Sequence, residues 1–178
     1  MSTFVTNNDS IYWNSRYEDV VNYLTGTTSN SDQEPANTKK TGTKIYPVFK
    51  SNAEVCLFAA MLAVKKGLLS KVSSSEKKES KQIRLSVFQN SRLIGSLWSL
   101  YFISQPTESV DLLDLSSEFD AKIISQLDIL IENGLAFLMD LYHPEYELPA
   151  DVFVYDILLE HMGMTEEYFE ELKTTVQA

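Results

Sequence analysis

The sequence has little of the residue chemistry from which most enzymes and disulfide-stapled proteins are built. It carries one cysteine, Cys56, and two histidines, His143 and His161, in 178 residues. A lone cysteine excludes an internal disulfide and a cysteine-based zinc site, and two histidines so far apart exclude most histidine-rich metal clusters. No Walker loop, GxGxxG fingerprint or HExxH helix is present, so nucleotide hydrolysis, dinucleotide chemistry and zinc proteolysis lose their usual residues. No apolar stretch approaches the roughly 20 residues of a bilayer span, and residues 1–10, MSTFVTNNDS, lack the charged-then-apolar order of a secretion signal. The chain is expected in the cytoplasm, with no cofactor, no bound metal and no membrane contact. Its second half also lacks positive charge: residues 101–178 hold only Lys122 and Lys173 against 17 acids.

What is present fits a folded domain. The apolar share of 44% is close to globular usage, and 178 residues suit one ordinary domain. The net charge is −10, from 15 basic and 25 acidic residues, but its distribution is two-sided. Residues 1–100 hold 13 bases against 8 acids, and between Lys39 and Arg92 there are 12 bases with only Glu54, Glu76 and Glu79 opposing them. Sign asymmetry of this kind speaks to partners rather than to fold.

The pattern along the chain is helical. Tyr17, Val20, Val21 and Leu24 follow the i, i+3, i+4, i+7 spacing of one helix face behind a Ser15 cap, giving a short helical arm within residues 1–25. Residues 26–44, GTTSNSDQEPANTKKTGTK, have one alanine as their only apolar residue and read as a flexible linker or loop. A core domain is expected over 45–178. Ser51-Asn52-Ala53-Glu54 has capping-box form and opens a helix over 52–66 that is apolar almost all round and stops at Gly67. A polar loop follows over 70–82, then a short strand or extended arm at 83–88. Asn90 can cap a second apolar helix over 91–104, and Ser117 a long one over 118–142 with Phe119, Ile123, Leu127, Leu130, Gly134, Phe137 or Leu138, and Leu141 in one stripe. Gly134 inside that helix costs about 1 kcal/mol relative to alanine, so a close helix approach is its expected compensation. Pro149 starts a further helix running to about Met162, and Thr165 caps a last short one. The fold class is mainly α: a compact single-domain helical bundle with two buried central helices, 52–66 and 91–104, the 118–142 helix packed across them, and little or no strand.

Candidate sites are few. Cys56, set among Val55, Leu57 and Phe58, reads as a buried inert thiol, and the two histidines read as helix-end or surface groups. The acids Asp128, Glu132, Asp140, Glu145, Glu147, Asp151, Asp156 and Glu160 are expected on the outer, solvated helix faces, with no matched pair for acid–base work. No catalytic residue is assigned. Lys65, Lys66, Lys71, Lys77, Lys78, Lys81, Arg84 and Arg92 form a basic edge that suits either a protein partner or sequence-independent, salt-sensitive DNA contact. Glu166, Glu167, Glu170 and Glu171 form an acidic end patch suited to solubility or to docking a basic partner.

Residues 45–69, IYPVFKSNAEVCLFAAMLAVKKGLL, are similar to the opening signature of the DNA phosphorothioation-associated protein 4 family. The resemblance lies in the Pro47-x-Phe49 turn, the Phe58-Ala59-Ala60 helix core and the Lys65-Lys66-Gly67 exit. It continues through Ile83 with Val87-Phe88 and through Glu132-Asn133-Gly134-Leu135, covering roughly residues 45–142. The chain departs from the pattern in its longer amino-terminal region, in keeping one of two central glycines, and in an acidic carboxyl-terminal pair of helices. The resemblance implies an accessory protein encoded beside bacterial DNA sulfur-modification and restriction machinery used against phage. It brings no catalytic residues with it. The expected function is a non-enzymatic adaptor that contacts larger protein subunits of such a defence complex. Direct DNA binding or sensing through the Lys65–Arg92 edge is the alternative.

Overall fold

The structure, a computed structural model, describes residues 9–27, 47–70, 80–105, 117–146, 148–168 and 170, with backbone only at 117–120 and 146. The order is β1 (Ser10–Asn14), α1 (Glu18–Thr25), α2 (Asn52–Lys65), β2 (Ser80–Arg84), α3 (Leu85–Asn90), α4 (Ile94–Ser104), α5 (Ser117–Leu141) and α6 (Ala150–Glu160), with 3-10 turns at Ser15–Tyr17 and Pro144–Tyr146. The protein is mainly α-helical, and among the described residues the sheet is a single antiparallel pair, β1 with β2.

The centre is α2 packed against α5, not against the 91–104 helix as the sequence suggested, because α4 turns Phe102 and Ile103 outward. α2 buries Ala53, Val55, Cys56, Phe58, Ala59, Ala60, Leu62 and Ala63, and α5 buries Leu127, Leu130, Ile131, Leu135 and Leu138. At Gly134 the two backbones approach closely, so the sequence expectation for that glycine holds: an added Cβ would overlap the Ala59 main chain. The start of α2 is fixed by its own box, with Ser51 Oγ accepting from Glu54 N at 3.3 Å and Glu54 Oε2 accepting from Lys50 N at 2.6 Å. Its end is a left-handed Gly67 at φ +69°, with Leu68 N donating to Ala63 O at 2.8 Å and Gly67 N to Val64 O at 3.1 Å.

Two elements at the edges differ from the sequence expectation. Ser10–Asn14 precede the helical part of the amino-terminal stretch as a strand, with Ile11 and Trp13 buried and Tyr12 exposed. The alternation and the Ile-Tyr-Trp content are those of a half-buried strand. Asn14, not Ser15, caps the 3-10 turn that leads into α1, its Oδ1 accepting from Arg16 N at 3.0 Å. β2 starts at Ser80, inside the 70–82 stretch expected to be loop, and the 83–88 stretch is strand only to Arg84: Leu85 N donates to Asp9 O at 2.9 Å and the chain then turns into α3. The alternating Ile83, Leu85 and Val87 imitate a strand, but Leu85 and Phe88, three apart, are the buried pair, and that spacing is helical. Asn90 therefore ends α3 instead of capping α4, and Arg92 takes the left-handed position between them at φ +60°.

α4 contributes Leu97, Leu100 and Tyr101 to the core, while Phe102 (42% exposed) and Ile103 (67%) face outward. α6 follows Pro149 and buries Ala150, Phe153, Val154 and Ile157. Tyr23 joins α1 to this helix: its ring lies 4.8 Å from Tyr142 and 5.7 Å from Phe153, and its hydroxyl donates to Leu148 O at 2.6 Å. Burial raises the Tyr23 hydroxyl pKa well above its ordinary value. Among the described residues no helix is long and apolar enough to cross a membrane. The 26–44 linker beyond Thr27, Phe119 with the Ser117 cap, and Lys71, Lys77, Lys78 and Glu171 lie outside the residues described at this level.

Candidate interaction surfaces

The most organised polar feature is a clamp between α5 and β1. In an antiparallel pair alternate N–H groups point away from the partner strand. In β1 those of Tyr12 and Asn14 are taken by carboxylates one helical turn apart: Asp128 Oδ1 accepts from Tyr12 N at 2.8 Å and Glu132 Oε2 from Asn14 N at 3.0 Å. Arg16 Nη2 lies 3.5 Å from Glu132 Oε1, and the guanidinium covers the buried Tyr17 ring at 4.5 Å and donates to its hydroxyl. Asp128 is thus no freely solvated surface acid. Burial drives its pKa up from 3.8 to about 7, the Tyr12 N–H opposes that rise and the Glu132 charge adds to it. The expectation that Asp128 and Glu132 serve only solvation is corrected: they receive the outward amides on the free edge of β1. Their i, i+4 spacing was visible in the sequence, but the strand whose amides they receive lies more than 100 residues away.

A second set of contacts holds the exit of α2. Asn133, buried on α5, donates through Nδ2 to Leu68 O at 2.7 Å and Ser70 O at 2.8 Å, and Gln126 Nε2 to Leu69 O at 3.1 Å. Lys66 Nζ donates to His161 Nδ1 at 3.0 Å and lies 5.5 Å from the Phe137 ring centre, on which His161 packs edge-on at 5.1 Å. The motif residues Asn133 and Gly134 therefore both act on α2 and its exit, one through its side chain and one through the absence of a side chain.

The described members of the basic edge, Lys65, Lys66, Lys81, Arg84 and Arg92, are all exposed. They divide among different neighbours. Lys66 belongs to the α6 end, Lys81 Nζ pairs with Glu18 Oε1 at 3.1 Å, and Arg84 and Arg92 bracket the two ends of α3. In the acidic end patch Glu166, Glu167 and Glu170 are exposed, and Thr165 Oγ1 accepts from Tyr168 N at 3.3 Å as a cap. Asp151, Asp156 and Glu160 are exposed along α6, which also turns Val152 and Tyr155 outward.

The cysteine and histidines occupy positions that suit structure. Cys56 is fully buried, and burial pushes its thiol up to about 12, so the thiolate form is suppressed at neutral pH. His143 Nδ1 lies 3.1 Å from Glu145 Oε1 at the surface, and His161 stands at the carboxyl end of α6. Among the described residues no three His, Cys, Asp or Glu side chains come together as a metal site.

With this geometry in hand, comparison with known proteins shows that the family model described as DNA sulphur modification system-associated protein 4 matches residues 31–168. The match runs past both ends of the 45–142 stretch and takes in α6, which is therefore part of the family's span and not an addition to it. No curated protein and no solved structure matches the chain.

Proposed function

The chain belongs to the DNA sulphur modification system-associated protein 4 family, and from that premise we propose that it is a non-enzymatic accessory subunit of a bacterial anti-phage DNA-modification complex, working in the cytoplasm through contacts with larger protein subunits. The observation that carries this reading is that two helices are apolar on two sides. α4 buries Leu97 and Tyr101 and turns out Phe102 and Ile103; α6 buries Phe153 and Ile157 and turns out Val152 and Tyr155. A helix that only closes a monomer's surface carries polar residues on its outer side, whereas exposed apolar groups gathered on one element suit a further macromolecule. The test is co-expression of the tagged chain with the other proteins of its own modification system, followed by size exclusion. Elution in a fixed ratio with one of those proteins supports the adaptor. Elution of the chain alone, or sulfur incorporation into DNA by the isolated chain, refutes it.

A second reading, direct DNA contact through the basic edge, draws on Arg92. An arginine held exposed in a left-handed position that glycine adopts without cost suits a residue retained for its charge. Counterion release gives the discriminating measurement: affinity for duplex DNA should fall steeply with salt, and Arg84→Glu with Arg92→Glu should abolish it. An adaptor shows neither behaviour with DNA alone.

A further inference from the structure

We infer that the outward side of α6 is a docking surface for a basic amphipathic segment of a protein partner; this rests on the adaptor reading and names the chemistry of what is adapted. At 3.6 residues per turn, Ala150, Phe153, Val154 and Ile157 fall on one side of α6 and all four are buried. Val152, Tyr155 and Leu159 fall on the opposite side, where Val152 is 40% and Tyr155 37% exposed. Leu148, 43% exposed, continues the strip ahead of the helix. Asp151 borders the strip on one flank and Asp156 on the other, and both are exposed. From His143 to His161 the sequence has five acids and no lysine or arginine.

These features select the occupant by charge complementarity. Covering Val152 and Tyr155 brings a partner against Asp151 and Asp156 and strips water from their carboxylates, which is costly unless cations replace that water. A segment with apolar residues at i, i+3 or i+4, and i+7, flanked by lysine or arginine, meets both demands in the helix-on-helix manner of peptide recognition. Nucleic acid and anionic membrane are disfavoured, because either would set phosphate against the two aspartates.

The probe is a fluorescein-labelled, 18-residue designed peptide of leucine and lysine with helical amphipathic spacing, titrated into the full chain and followed by anisotropy. A peptide of equal charge with every leucine replaced by serine is its control. The leucine–lysine peptide is expected to bind at least tenfold more tightly than the serine–lysine one. Val152→Ser with Tyr155→Ser should weaken binding at least tenfold, Asp151→Asn with Asp156→Asn at least threefold, and Glu166→Gln with Glu167→Gln less than twofold. The positions changed are exposed, and circular dichroism checks that each variant keeps its helix content. Equal affinity for the two peptides, or a Val152/Tyr155 variant that binds like the wild type, overturns the proposal. So does a wild-type dimer that Val152→Ser with Tyr155→Ser dissociates, since a second copy would then occupy the strip. Partner subunits that still co-elute with the Val152/Tyr155 variant overturn this surface while the adaptor reading stands; peptide binding at the strip without any co-eluting subunit supports the surface while the adaptor reading fails.

Discussion

Gly134 on α5 lies so close to Ala59 on α2 that a Cβ at position 134 would stand 2.8 Å from the Ala59 Cα and closer still to its carbonyl. In an exposed helix, exchange of glycine for alanine stabilises by up to about 1 kcal/mol. Here the sign reverses, because the new methyl meets main chain, which cannot rotate away. Gly134→Ala should destabilise the protein by about 3 kcal/mol or more, seen as a drop in melting temperature of several degrees. Gly95→Ala on α4, where an added Cβ meets nothing within 4 Å, should leave stability unchanged or raise it. If both variants melt alike, the close approach of α2 and α5 is wrong.

Asp128 gives a pH prediction with a definite sign. Its carboxyl titrates near 7 in the folded chain against 3.8 ordinarily, chiefly through burial. Between those values the unfolded chain has released the proton while the folded chain still holds it, so stability falls as pH rises from about 4 to 7 and the loss is constant above that. Asp128→Asn removes the titration and keeps an oxygen to accept from Tyr12 N. It should be more stable than the wild type by at least about 1 kcal/mol at pH 8, with the difference fading towards pH 4, as read from urea midpoints across that range. A constant difference at all pH values would contradict the assignment.

Asn133 should be intolerant of change despite carrying no chemistry. Its amide satisfies the carbonyls of Leu68 and Ser70 at the exit of α2. Asn133→Asp would set a carboxylate against two carbonyl oxygens, and a loss of about 2–4 kcal/mol is expected from the two missing bonds and the added repulsion. Limited proteolysis should cut the variant after α2 faster than the wild type.

Arg92 occupies the left-handed position that ends α3, with Leu93 N donating to Phe88 O at 2.8 Å and Arg92 N to Gln89 O at 3.0 Å. The same arrangement ends α2 at Gly67. Arg92→Gly should therefore raise stability by roughly 0.5–1 kcal/mol, and Gly67→Ala should lower it by a similar amount, since only glycine enters that region freely. Denaturation of the two variants side by side checks this; a destabilised Arg92→Gly would mean that the arginine side chain contributes more than the backbone strain removes.

The residues themselves determined the longer helices, though not the six-residue α3, because helix formation is local. Ser51 through Glu54, the apolar run to Val64 and Gly67 specify the start, the buried surroundings and the end of α2 within one short stretch, and the α5 stripe and the conflict at Gly134 were equally plain. The family resemblance rested on those same positions. What the sequence left open is whatever depends on which segments meet. A five-residue strand is stabilised by its partner, so β1 could not be assigned until Ser10–Asn14 were seen against Ser80–Arg84. Asp128 and Glu132 look like solvated acids until β1 supplies the amides that they receive. Only the packing of α6 on Tyr23 and Tyr142 settles which of its two apolar sides faces inward, and therefore that Val152 and Tyr155 are the ones left at the surface. A helix with apolar residues on both sides has no inward side of its own; the rest of the chain chooses it.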